Sequence, residues 1–115
     1  MDAPFANKPA HVRGLFEKLR ELVEDCGPVK AVAYRDRVSF MVRVRFAGAV
    51  PRQRWLDVGL WLPRRIEYLR FHRIETLTPT AHVHLLRITD AAQLDGQVAA
   101  WVKEAYAVGR QEHLA

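Results

Sequence analysis

Arg37-Val-Ser-Phe-Met-Val-Arg-Val-Arg-Phe46 and, after a short connection, Arg54-Trp-Leu-Asp-Val-Gly-Leu-Trp-Leu62 alternate in character along their length. Strand side chains project to opposite sides with a period of two, so each run sorts into two faces. In the first, Val38, Phe40, Val42, Val44 and Phe46 share one side, and Arg37, Ser39, Met41, Arg43 and Arg45 share the other. In the second, Leu56, Val58, Leu60 and Leu62 oppose Trp55, Asp57, Gly59 and Trp61. One side reads as core. The other carries arginine, tryptophan and acid, and any function is expected there.

The flanking segments supply what covers the core side. Between Ala10 and Cys26, Val12, Leu15, Phe16, Leu19, Leu22 and Val23 recur at spacings of three and four, the stripe of an amphipathic helix. Pro9 suits its first turn and Gly27-Pro28 ends it. Val29-Lys-Ala-Val-Ala-Tyr34 predicts a short strand, with Arg35-Asp36 turning into the next, and Ala47-Gly-Ala-Val-Pro-Arg-Gln53 reads as a loop. Arg64 to Arg70 reads as a helical turn or irregular loop, followed by strands at Phe71 to Thr78 and His82 to Ile88. In the last strand Val83 and Leu85 oppose Leu86 and Ile88, so periodicity leaves its inward side open. Asp90-Ala-Ala-Gln93 has capping-box spacing, and Leu94, Val98, Trp101, Val102, Ala105 and Tyr106 continue as a helix to about Val108, with Gly109 as its stop. The C-terminal Arg110-Gln-Glu-His-Leu-Ala115 is expected to fray. The expected fold is α+β, one domain over residues 1–115. It is a two-layer sandwich in which an antiparallel meander of four to five strands carries an N-terminal and a C-terminal helix on one face.

With 50% hydrophobic and 27% charged residues, the composition is that of a globular domain and argues against disorder. A net charge of +5 favours acidic partners. The single cysteine, Cys26, excludes an internal disulfide and fits a reducing compartment. Met1-Asp-Ala-Pro-Phe-Ala-Asn-Lys-Pro9 lacks a basic segment followed by an apolar stretch, and no run is long enough to span a bilayer. A cytoplasmic location without membrane attachment is expected.

The phrases Phe5-Ala-Asn-Lys-Pro9, Cys26-Gly-Pro-Val29, Phe46-Ala-Gly-Ala-Val-Pro51, Arg54-Trp-Leu56, Arg73-Ile-Glu-Thr76, His82-Val-His84 and Glu104-Ala-Tyr-Ala-Val-Gly109 span nearly the whole chain. In these it resembles a bacterial family of domains of unknown function, number five-six-five-five. The resemblance implies no activity and transfers no catalytic residue. The chain departs from it at Ala33-Tyr-Arg-Asp-Arg37, where members often read proline, glutamine, lysine, threonine and arginine.

No reaction-specific motif is present: there is no nucleophile elbow, phosphate-binding glycine loop or dinucleotide fingerprint. His82 and His84 project to one face and would give two metal ligands or a histidine beside a carboxylate, but nothing at diagnostic spacing completes either set. Neither metal nor cofactor is expected, and whether the protein is an enzyme stays open, with the balance against it. The favoured reading is a binding module for a small anionic or aromatic ligand. Arg37, Arg43 and Arg45 would meet the anion, Trp55 and Trp61 would stack, and Asp57, His82 and His84 would complete the site. The runner-up is homodimerisation or protein interaction through the same face, since two tryptophans and a methionine on an uncovered sheet would suit burial. Single-stranded nucleic acid is less favoured, because Asp57 and Glu75 would interrupt a phosphate track. A hydrolase using His82 and His84 comes last.

Overall fold

A computed structural model describes residues 2–112 of the protein. Helix α1 spans Ala10–Glu24 and buries Val12, Leu15, Phe16, Leu19 and Val23 of the stripe the spacing predicts, with its sixth member, Leu22, half-buried. It ends where Gly27 adopts φ +142°, and a Cβ there would also strike the Tyr106 hydroxyl, so only glycine fits this turn. Strands β1 (Lys30–Ala33), β2 (Val38–Met41), β3 (Arg45–Pro51), β4 (Leu56–Leu62), β5 (Arg73–Thr78) and β6 (Ala81–Ile88) follow, and α2 (Gly96–Gly109) closes the order. Of the C-terminal segment expected to fray, residues 113–115 lie outside the described part.

The sheet is antiparallel, with six strands rather than four or five. The extra strand comes from the first alternating run. Instead of one strand it is β2, a turn at residues 42–44, and the start of β3. The segment read as a loop from Ala47 is therefore strand β3. The turn is held by Gly109 at the end of α2, whose carbonyl oxygen accepts from the Arg43 amide at 2.9 Å and the Val44 amide at 3.1 Å. Val42 is consequently exposed rather than core. The strand order β1-β2-β3-β4-β6-β5 also departs from a simple meander. Residues 63–72 carry the chain past β6 to the sheet edge, so β6 returns between β4 and β5.

One side of the sheet joins both helices in a continuous core. Val38, Phe40, Ala47, Ala49, Leu56, Val58, Leu60, Leu62, Leu86 and Ile88 meet the α1 stripe and Val98, Trp101, Val102 and Ala105 of α2. Full burial of one such Leu or Val is worth about 2 kcal/mol, which is why the alternation of β4 dictates the sheet's orientation. Asp90 and Gln93 do form a capping box, but around a short 3-10 turn at Ala91–Gln93. The cap of α2 is Asp95, whose carboxylate accepts from the Val98 amide and pairs with Arg70, and these contacts hold it below the usual carboxylate range.

Candidate functional site

The helix-free face is organised in three rows running across the strands. The middle row is Ser39, Gly48, Gly59 and Leu85, set side by side by the register of β2, β3, β4 and β6. Because two neighbours in that row are glycines, the centre of the sheet is bare backbone. Arg37, Val50 and Asp57 rise on one side of this floor and Arg45, Trp61 and Val83 on the other, enclosing a trough of about 210 Å³. A Cβ on Gly59 would sit 3.4 Å from Leu85, 3.5 Å from Val83 and 3.7 Å from Trp61, so a methyl group would fit but fill the floor.

Arg45 reaches this face through a β-bulge. Ala47 pairs with Phe40, and Arg45 pairs with Met41, so Phe46 is an extra residue on β3. In an unbroken strand Arg45 would share the core side of Ala47 and Ala49. The bulge lets both Phe46 and Ala47 bury at 0% exposure and returns Arg45 to the side of Gly48. Phe46 is held edge-on against Tyr106 and lies so close to Gly109 that a Cβ on that glycine would overlap its Cδ1 and stand 2.9 Å from its Cγ. The end of α2 thus fixes both the turn before Arg45 and the bulge after it.

The charges of this face are segregated. Asp57 accepts from Arg52 Nε at 2.9 Å and Arg87 Nε at 3.5 Å, and Glu75 pairs with Arg73 at 3.1 Å. Arg37 and Arg45 have no carboxylate partner among the described residues. Both instead approach the ring of Tyr34, with guanidinium carbons 5.4 and 5.9 Å from its centroid, and Arg45 Nη2 lies 3.5 Å from the Tyr34 hydroxyl. Two unneutralised cations on either side of an apolar floor form a place where an anion lowers the energy.

The residues singled out from the sequence do not all meet. Arg37, Arg45, Asp57 and Trp61 line the trough. Trp55 shares their face but not the trough: Arg87 covers its ring at 4.3 Å, and its indole Nε1 is buried without a hydrogen-bond partner among the described residues. Arg43 is in the β2–β3 turn, where its amide bonds Gly109, so it is not part of the open face. The unbroken strand implied by the alternation hid that turn.

His82 and His84 lie on the opposite, helix-covered side, because β6 pairs them with Leu62 and Leu60. His84 is 0% exposed and packs edge-on against Phe71 with ring centroids 4.7 Å apart. Its Nδ1–H donates to the His82 carbonyl oxygen at 2.9 Å, and its Nε2 accepts from the Ile66 amide at 2.9 Å. Burial pushes its pKa down, keeping this neutral tautomer. His82 is bonded at both nitrogens as well, to the Thr76 hydroxyl at 2.9 Å and the Pro79 carbonyl oxygen at 3.1 Å. These are structural histidines that latch the 63–72 connection and the β5–β6 turn to the sheet. Among the described residues no group of three or more His, Cys, Asp or Glu is arranged to hold a metal ion. Cys26 is half-buried, with its thiol pushed up by burial, and has the character of an inert thiol. No helix of the described residues is long and apolar enough to cross a membrane.

Three contributors escaped the sequence reading. Gly48 falls in a segment whose composition reads as a loop, Gly59 is distinguished in the alternation only by its side, and Tyr34 closes a short predicted strand. The available signal was two glycines equidistant from a turn in adjacent alternating runs, which becomes legible only once β3 is recognised. No curated protein and no solved structure matches the chain. A family model matches residues 1–109 of the 115, so the chain belongs to the family described as Domain of unknown function (DUF5655).

Proposed function

We propose that the trough binds a small ligand with a flat apolar part and an anionic group. The observation that carries this reading is the pairing of two unneutralised arginines, Arg37 and Arg45, with a floor of adjacent glycines beside Trp61. An engineered cavity of about 150 Å³ admits benzene, so a space of about 210 Å³ suits one ring with a substituent. The flat part lies on the Gly48–Gly59 backbone beside the Trp61 indole, and the anion meets the guanidinium forks. Asp57 does not oppose it, since both its oxygens face Arg52 and Arg87. A reducing, cytoplasmic setting accompanies this reading, supported by the unpaired Cys26.

Homodimerisation through this face is the second reading, and a polymer such as single-stranded nucleic acid ranks behind both. Against them stand the half-buried tryptophans and the small number of unpaired cations on the face. The test is an NMR titration with phenyl phosphate and benzoate, with light scattering on the same samples. Binding should shift the Gly48 and Gly59 amides and the Trp61 indole of a monomer. Gly59→Ala, which keeps an allowed backbone and fills the floor, should weaken binding at least tenfold, as should Arg45→Gln. Unmoved resonances with both probes would reject the pocket, and a stable dimer broken by Trp61→Ala would replace it with the interface.

A further inference from the structure

The trough does not end at Arg45 and Trp61. Beyond them opens a second, wider space of about 570 Å³, in whose walls the same two residues stand. Its remaining lining is mostly apolar: Tyr34, Met41, Val44, Leu77, Ala81 and Val108. Tyr34 and Leu77 are 41% and 57% exposed, two of the few large apolar side chains the fold leaves to water. They come from opposite edges of the sheet, Tyr34 following β1 and Leu77 from edge strand β5, and converge on one groove. Arg45 is the one cation common to both spaces.

Resting on the reading of the trough as a binding site, we infer that its ligand is elongated, with a monoanionic group joining two apolar parts. The flat part occupies the Gly48–Gly59 floor. The anion sits at the junction, with Arg45 beside it and Arg37 across the floor. The second apolar part lies along Met41, Val44 and Leu77. A ring, a diester-type phosphate and an alkyl or aryl tail meet this description, and such a ligand uses every feature of the site: bare floor, unpaired guanidinium groups, shared tryptophan and exposed apolar groove. A short ligand would leave Leu77 and Tyr34 in water. The two spaces together have the several-hundred-Å³ scale of ordinary small-molecule sites, which the trough alone does not reach.

Two phosphodiesters of equal charge, methyl phenyl phosphate and hexyl phenyl phosphate, test this by NMR titration of the full chain. The hexyl ester should bind roughly thirtyfold more tightly, the gain for about half-burial of five methylenes in an open groove. It alone should shift the Leu77, Val44 and Val108 methyl groups. Leu77→Asn, on an exposed edge position, should remove at least half of that gain on a logarithmic scale and leave the methyl ester's affinity unchanged. Equal affinities for the two esters would overturn the two-part ligand while leaving the trough intact. A gain indifferent to Leu77→Asn, with no shift of these methyl groups, would also overturn it. No binding of either ester would overturn both readings together.

Discussion

Trp55 and Trp61 lie on one face of the same chain segment, six residues apart, yet their surroundings differ in kind. Trp55 is closed: Arg87 lies on its ring, and Asp57 next to it is shared between Arg87 and Arg52. Trp61 is open: its neighbours are two glycines and an arginine without a carboxylate partner. The same residue type at the same strand parity is therefore surface packing at one end and a site wall at the other. What distinguishes them is whether the neighbouring charges are already satisfied and whether adjacent side chains are large enough to cover the backbone.

The most damaging way to break this difference acts from the other side of the sheet. Gly109→Ala should lower stability by about 2 kcal/mol, because the added methyl group overlaps Phe46 in a filled core. Guanidinium unfolding would measure it. Amide shifts in the same variant should concentrate at Arg45 and Trp61 and spare Trp55 and Arg87. An unchanged unfolding midpoint would contradict the account of the bulge.

A smaller effect separates the sheet's two sides by acid. His84 has its folded pKa below the unfolded value, so near and below the ordinary histidine range the unfolded chain binds more protons than the folded one. The stability contribution is therefore complete above about pH 6.5 and is lost as pH falls, by up to ~1.4 kcal/mol per pH unit until the depressed pKa is passed. Melting between pH 7 and 5 should show this slope, and His84→Gln should flatten it. The Ile66 amide should report the opening first, since its acceptor is the atom that gains the proton. A slope unchanged in the variant would place the acid sensitivity elsewhere.

Arg87→Ala should have the smallest consequence, below about 1 kcal/mol, the scale of an exposed ion pair and a surface cation–π contact. Because Arg52, at 2.9 Å, still neutralises Asp57, the affinity of phenyl phosphate for the trough should fall by no more than about threefold. A tenfold loss would show that the closed end participates in binding and would remove the distinction between the two tryptophans.

Much of the architecture was legible because it depends on local periodicity. The α1 stripe, the α2 stripe and the Leu56-Val58-Leu60-Leu62 face each pair a repeat with a large burial energy, and each is buried on the side expected. The turn at residues 42–44 was not legible. Val42 and Val44 continue the alternation of β2, and what stops the strand there is the Gly109 carbonyl, which comes from 65 residues or more along the chain. The inward side of β6 was likewise undetermined, since Val83 and Leu85 match Leu86 and Ile88 in hydrophobicity.

By itself, then, the sequence determined two amphipathic helices, an antiparallel sheet with one apolar side, and an arginine-bearing face opposite. Strand and helix periods are local properties of the backbone, and burial of the apolar side orients them. Tertiary structure alone decided that Phe46 is a bulge returning Arg45 to the open face, that Gly48 meets Gly59, and that His82 and His84 serve the core. Each of those outcomes depends on register between strands, where a shift of one residue exchanges the faces of every side chain.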